Sequence, residues 1–146
     1  IDLKFNDEKF INSYDREDKE FRNKFLTLRE NNLKRNNIFF YELDSINILH
    51  QFKKDFFDII WIDGDHHAPQ VVIDIYNSLK LLKANGIICC DDVIKFPYKD
   101  KKVSNESFET LKILEKNNTL KNDFILKRIN KNNVFLRKYI SVSKKN

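Results

Sequence analysis

The chain has 146 residues and a formal net charge of +5, and 41% of its residues are hydrophobic, including 13 phenylalanines. This length predicts a single domain over residues 1–146, and the apolar content suffices for a packed core. Only two glycines are present, which excludes a glycine-rich phosphate loop and a complete dinucleotide-binding fingerprint. The lysines are scattered over every segment without a basic stripe, which argues against a nucleic-acid partner.

The sequence also allows predictions about membrane spans, the cellular compartment and whether the domain is complete. No apolar run approaches the roughly 18–20 residues of a membrane span, and no signal-peptide pattern opens the chain. Cys89 and Cys90 are adjacent in an apolar run, so they point to opposite faces of a strand and indicate buried thiols of a reducing, cytoplasmic compartment. The chain contains no methionine and opens on Ile1, Asp2 and Leu3, which resemble the end of a buried strand. We therefore expect an incomplete domain.

The first third of the chain predicts helices around one strand. Apolar residues recur at helical spacing over residues 7–35, with a polar stretch at 15–19 that favours two helices. The β-branched and aromatic run Ile38–Tyr41 predicts a strand that leads to the polar pair Asp44 and Ser45. A short helix is expected over about Ile46–Lys53.

The strongest signal is the run Phe57–Ile62, which is nearly continuous in apolar residues and predicts a central parallel strand buried on both faces. It ends at an acidic turn, residues 63–67, after which Pro69 opens an amphipathic helix. Asn85 and Gly86 are expected to close that helix. Ile87–Cys90 predicts a second buried strand.

The last third predicts a loop over residues 93–104, a helix over about 105–116 and a hairpin with strands 124–129 and 134–140. Alternating helices and strands followed by a hairpin indicate an α/β sheet that is mostly parallel, with one antiparallel strand.

Carboxylates follow both buried strands, with Asp63 and Asp65 after the first and Asp91 and Asp92 after the second. A right-handed crossover through one helix sets such strands side by side, so the acids converge at one edge of the sheet. Carboxylates that close repel one another, and a divalent cation removes the conflict. We therefore predict a Mg²⁺ site formed by Asp63, Asp91 and Asp92.

Two alternatives stay open for residues of the acidic turn. A single aspartate after a strand is commonly a helix cap, and Asp65 is placed to cap the helix near Pro69. His66 and His67 are either surface residues, the more common case for His67, or a base or metal ligand near neutral pH.

The segment 57–66, the following helix and the run 85–92 resemble the second half of class I S-adenosylmethionine-dependent methyltransferases. The pattern is most similar to small-molecule O-methyltransferases with an Asp-Gly-Asp turn, including the macrocin O-methyltransferase type. The resemblance implies a Rossmann-like sheet with helices on both faces, lacking here its first strand and glycine-rich cofactor loop. It covers about residues 38–93 well.

The resemblance also implies site residues. Asp2 occupies the position of the family residue that binds the cofactor ribose. Asp44 and Ser45 occupy the positions of the polar residues that approach the adenine. Asp63 is predicted to bind both the cofactor and the metal. Mg²⁺ or a similar ion would lower the pKa of an acceptor hydroxyl on a sugar, polyketide or phenol. Asp65 or His66 would accept its proton.

Two rival functions remain at the level of sequence. Asp65, His66 and His67 resemble part of the DHH phosphoesterase motif, although that family needs further ligand motifs, which are missing upstream. The other rival is a non-catalytic methyltransferase-like remnant. The sequence leaves a homo-oligomer open.

Overall fold

The computed structural model describes residues 19–96, 104–130 and 136–146. The chain divides into two compact units, Ile1–Asn47 and Ile48–Asn146. Each is described by itself below, and the expectation of a single domain over residues 1–146 stays a prediction.

The first unit contains one described helix, α1, over Lys19–Leu33, and ends in a short 3-10 turn over Ser45–Asn47. The helix lies inside the predicted segment 7–35, whose beginning is outside the described residues. The strand predicted for Ile38–Tyr41 is not formed, and only Glu42 makes a β-bridge. A strand needs a neighbour for its backbone groups, and no described segment forms a ladder with this run, which leaves Phe39 78% exposed.

The second unit is an α/β sheet with a strand order β1-β2-β4-β3. Strands β1 and β2 are parallel, while β4 is antiparallel to both β2 and β3. The Rossmann-like α/β class and the antiparallel hairpin at the end of the chain are confirmed. The elements, in chain order, are α2 (Ile48–Gln51), β1 (Phe57–Ile62), α3 (Gln70–Leu81), β2 (Leu82–Val93), α4 (Glu106–Lys116), β3 (Leu120–Asn130) and β4 (Leu136–Lys145).

The core of this unit lies between the sheet and the helices α3 and α4, which pack on the same face as each other. Burying these side chains removes apolar area from water, which is the main force that holds the helices on the sheet. None of the helices in the described ranges is long and apolar enough to cross a membrane. The fully buried apolar residues include Val71, Ile75, Ile88, Cys90, Val93 and Leu111.

The burial of β1 differs from the sequence prediction. Ile60 and Ile62 face the core, but Ile59 is 63% exposed and Trp61 is 53% exposed. Successive residues of a strand point to opposite faces, and within the described second unit the long helices cover only one face. β1 is also the edge strand of the described sheet, so the expectation of a central strand buried on both faces is wrong for this part of the structure.

The two cysteines match their prediction. Cys89 and Cys90 are free and buried on neighbouring positions of β2. Burial raises the pKa of the Cys90 thiol to about 12, so this side chain behaves as a small apolar residue of the core.

The segment around Gly86 distorts β2 instead of closing the preceding helix. Helix α3 already ends at Leu81, and Asn85 takes a left-handed conformation, with φ 62°, inside β2. Pairing with β1 accordingly jumps from Leu82 to Ile87. The backbone of Gly86 passes so close to its neighbours that an added Cβ would lie 2.6 Å from Leu82 Cγ and 3.0 Å from the Asp58 carbonyl oxygen.

We expect Gly86→Ala to destabilise the protein by about 1–3 kcal/mol, because the new methyl group overpacks the contact with Leu82. The measurement is the free energy of unfolding in urea. Gly64→Ala is the matched control, because its Cβ would meet only Asp74 Oδ2 at 3.7 Å, which is ordinary contact. Equal losses in the two variants would contradict the close approach at Gly86.

Candidate active site at the carboxyl edge of the sheet

The structure brings the acidic residues of the two parallel strands to one edge. Ile62 at the end of β1 pairs with Cys90 of β2, so Asp63 and Asp91 each follow one member of this pair. Strand β3 runs in the same direction as β2, because β4 is antiparallel to both. The ends of β1, β2 and β3 therefore form a single edge, called the carboxyl edge here, and the predicted convergence of acids is confirmed.

Two irregularities shape this edge. The pairing of β2 with β4 shifts between Cys90 and Val93, and Asp92 inside that shift has a φ of 48°. The pairing of β3 with β4 shifts between Leu126 and Arg128. Bulges of this kind change the direction of side chains and are common next to functional sites. They occur here at the positions of the acidic pair and of the basic residues that bind it.

Asp92 is held by three basic residues of the terminal hairpin. Its Oδ1 accepts hydrogen bonds from Lys127 Nζ at 3.2 Å and from an Arg128 guanidinium nitrogen at 3.2 Å. Its Oδ2 accepts from the same Arg128 nitrogen at 2.9 Å and from Lys138 Nζ. A carboxylate has about four lone-pair sites, so these contacts leave Asp92 without a free acceptor position.

Asp91 is more deeply buried and has one partner. Its side chain is 9% exposed, and its Oδ2 accepts a hydrogen bond from Lys127 Nζ. Its Oδ1 is buried and has no hydrogen-bond partner among the described residues. Lys127 thus bridges the two adjacent carboxylates, and its own pKa is raised, chiefly by the hydrogen bond to Asp91.

The two strand ends titrate in opposite directions. Partial desolvation of its carboxylate, followed by repulsion from Asp91, raises the pKa of Asp63. Burial works in the same direction at Asp92, but the hydrogen bonds from Lys138 and Lys127 outweigh it and lower the pKa of Asp92. The carboxyl edge therefore holds one aspartate with a raised pKa and another with a lowered pKa.

The turn after Asp63 is organised by Asp65 and His67. Asp65 Oδ1 accepts a hydrogen bond from the His67 backbone N–H at 2.9 Å and lies 2.9 Å from His67 Nδ1. The backbone hydrogen bond is the main cause of a lowered pKa at Asp65. Pro69 is the N-cap residue of α3 and no side chain bonds to the cap, so Asp65 stabilises the turn and does not cap the helix.

His66 is half-buried in the same turn. Its backbone carbonyl accepts a hydrogen bond from Ser104 Oγ, just before α4. Its positive charge, when present, lowers the pKa of Asp63, which indicates that the two side chains lie within electrostatic range.

The structure does not relate the remaining predicted cofactor residues to the carboxyl edge. Asp2 lies outside the described residues. Asp44 belongs to the first unit, where its Oδ1 accepts a hydrogen bond from the Ile46 backbone N–H at 2.9 Å. Ser45 begins the 3-10 turn of that unit.

The donor set at the carboxyl edge does not fit the predicted Mg²⁺ site. Within the described ranges, no group of three or more histidine, cysteine, aspartate or glutamate side chains is arranged to hold a metal ion. Asp92 is saturated by hydrogen bonds from basic residues, and Asp91 offers a single unpartnered oxygen. Metal binding by Asp63, Asp91 and Asp92 stays a prediction, and no step below depends on it.

Sequence reasoning missed the three basic residues of the site, Lys127, Arg128 and Lys138. A usable signal was the buried acidic pair itself, because adjacent carboxylates inside a fold need counter-charges. The hairpin was predicted, but which of its many lysines faces β2 depends on the two bulges, which the sequence does not reveal.

We expect Asp92→Asn to lower the free energy of unfolding at pH 7 by about 2 kcal/mol, because it removes the charge shared by three cations. The pKa of Asp92 is lowered in the folded state, so its contribution is present above the ordinary value of 3.8 and is lost as the pH falls through the folded value. Urea unfolding of both proteins from pH 7 to pH 3 measures the difference.

The control for this prediction is Asp58→Asn. Asp58 pairs with Lys83 at 2.9 Å, but its side chain is 79% exposed, so the loss should stay below about 1 kcal/mol. A loss for Asp92→Asn no larger than that of the control, or one that persists unchanged at pH 3, would contradict the ion-pair assignment.

Comparison with solved structures gives the same fold at low sequence identity. A crystal structure described as a "putative O-methyltransferase" from Klebsiella pneumoniae has a TM-score of 0.56 and 14% identity, covering 75% of this chain and 50% of that one. Cofactor-bound Rv0187 from MTB has a TM-score of 0.51 and 18% identity, covering 72% of this chain and 46% of that one. This chain thus spans about half the length of these two proteins.

Comparison of the sequence with curated proteins found no match. A family profile described as a methyltransferase domain matches residues 6–93, which is more than half of the chain. The matched range includes β1, α3, β2 and all four acidic residues of the carboxyl edge. The chain belongs to the methyltransferase-domain family.

Proposed function

We propose that this chain acts in S-adenosylmethionine-dependent methyl transfer to the hydroxyl group of a small molecule. The observation that carries the proposal is the carboxyl edge, where Asp63 and the turn that follows it adjoin Asp91 on parallel neighbouring strands. Ligands of open α/β sheets bind outside the carboxyl ends of such strands. Family membership supplies the reaction type, and the similarity to an O-methyltransferase fold supports the hydroxyl acceptor.

In this proposal the cofactor is S-adenosylmethionine. Asp2 binds its ribose, and Asp44 and Ser45 approach its adenine, as the family resemblance implies. Asp63 would bind the cofactor at the carboxyl edge. Membership of the methyltransferase-domain family supports this choice of ligand, and the similar fold of Rv0187 was solved with a cofactor bound.

The reaction moves a methyl group from the sulfonium sulfur to the acceptor oxygen. The carbon–sulfur bond breaks and leaves its electron pair on sulfur, while the new carbon–oxygen bond forms in line with it. The hydroxyl proton leaves to a base of the turn after β1, for which Asp65 and His66 are the candidates. Holding donor and acceptor together supplies a large part of the rate enhancement.

The environment of the turn favours His66 as the base. The pKa of Asp65 is lowered by its hydrogen bonds with His67, which makes its carboxylate a weak proton acceptor. Imidazole is the side chain that accepts protons near neutral pH, and His66 is half-buried beside Asp63. Asp65 then serves to hold the turn.

Of the rival functions, the phosphoesterase reading needs paired metal ions, and the described part of the chain contains no ligand group for one. It is therefore not proposed. The remnant reading makes a clear contrasting prediction, since a remnant neither binds the cofactor nor turns it over.

We expect the purified protein to convert S-adenosylmethionine to S-adenosylhomocysteine in the presence of a panel of phenols, sugars and polyketide alcohols. His66→Gln should lower kcat by about 100-fold, because it removes the proton acceptor. Product formation is measured by mass spectrometry, together with cofactor binding by calorimetry.

His50→Gln is the matched control, because His50 is exposed on α2 and has no place in the proposed site. It should retain full activity. Absence of both cofactor binding and turnover would support the remnant reading and overturn the proposal. Full activity of His66→Gln would overturn the assignment of the base.

A further inference from the structure

The three carboxylates of the predicted metal site are matched in formal charge by basic side chains of the chain itself. Three carboxylates, those of Asp63, Asp91 and Asp92, lie within electrostatic range of one another. Three basic side chains bind the acidic pair, namely those of Lys127, Arg128 and Lys138. The formal charges cancel, so the need for a divalent cation that follows from three clustered acids is already met.

We infer that the terminal hairpin supplies the cationic charge of this site in place of a divalent metal ion, with the Lys127 ammonium group between Asp91 and Asp92 and the Lys138 ammonium group on Asp92. The inference rests on the proposed function in one respect: its consequence is that the proposed methyl transfer does not require a bound metal ion. It also assigns Lys127 as the positioning residue that holds the acidic pair.

Hydrogen-bond saturation supports this inference. Both oxygens of Asp92 are occupied twice over, by Lys127 and Arg128 on Oδ1 and by Arg128 and Lys138 on Oδ2. A metal ion could bind Asp92 only by displacing these donors. The side chains of Lys127 and Lys138 are 30% and 21% exposed, so both are partly shielded from water.

Backbone geometry supports it independently. The bulge in β2 turns Asp92 towards the hairpin with a φ of 48°, in a region that costs a non-glycine residue energy. The bulge in β3 lies at Lys127, between Leu126 and Arg128. Both shifts lie opposite the same part of β4, near Tyr139, and coincide with the contact between the acids and the bases.

The test is Mn²⁺ binding, followed by the electron paramagnetic resonance signal of the free ion at pH 7.5. The wild-type protein should leave the signal unchanged at millimolar Mn²⁺. Lys127→Gln combined with Lys138→Gln should bind Mn²⁺ at least tenfold more tightly than wild type, because, among the residues that the structure describes, Asp91 then has no basic partner and Asp92 keeps only Arg128. Adding Asp91→Asn to that variant should abolish the binding.

Lys95→Gln is the matched control. Lys95 lies over the rings of Phe124 and Tyr139, at 4.5 and 4.4 Å, and does not contact the acidic pair, so this variant should resemble wild type. Circular dichroism establishes that each variant is folded, and the single variant Lys127→Gln replaces the double one if the latter unfolds. Saturable Mn²⁺ binding by the wild-type protein, or no gain in either folded variant, would overturn the inference.

This readout does not depend on methyl transfer. A protein without turnover can still show the gain of Mn²⁺ binding, in which case the proposed function fails while the inference stands. If the wild-type protein is active and also binds Mn²⁺, the proposed function stands and the inference fails.

Discussion

Two adjacent aspartates at the end of β2 set the main physical constraint on this structure. Asp91 and Asp92 are both largely withdrawn from water, with side chains 9% and 13% exposed. Removing a carboxylate from water costs several kcal/mol unless charged hydrogen-bond donors compensate. The hairpin β3–β4 provides those donors, namely Lys127, Arg128 and Lys138.

This arrangement links local backbone geometry to function. The register shifts in β2 and β3 lie at Asp92 and Lys127, whose side chains are hydrogen-bonded to each other. Asp63, on the neighbouring strand, is left near Asp91 without a described ion pair, and its pKa rises. At this edge, Asp91 and Asp92 are neutralised by the hairpin. Asp63 and His66 belong instead to the turn after β1, where the proposed reaction takes place.

Part of this organisation could be predicted from the sequence. The apolar runs Phe57–Ile62 and Ile87–Cys90 marked the two parallel strands, and the acids after them marked the edge, because strand ends and polarity changes are local signals. The hairpin and the helix near residues 105–116 followed from periodicity in the same way, and both are confirmed in the structure.

Other features depend on contacts between distant segments and escaped prediction. The exposure of Trp61 follows from which face the helices cover, and the failure of Ile38–Tyr41 to form a strand follows from the lack of a described ladder partner. The roles of Lys127 and Lys138 depend on register shifts that no local pattern encodes. The clustered acids predicted a metal site, and the lysines that bind two of them could not be read from the sequence.

The most direct measurement of this account is a carbon-13 NMR titration of the aspartate side-chain carboxyl groups in the wild-type protein. Asp92 should titrate below the ordinary aspartate value of 3.8, because hydrogen bonds from basic side chains outweigh its burial. Asp63 should titrate above 3.8, because partial desolvation and, after it, repulsion from Asp91 raise its pKa. An Asp92 that titrates at or above 3.8 would contradict the claim that the hairpin neutralises the acidic pair.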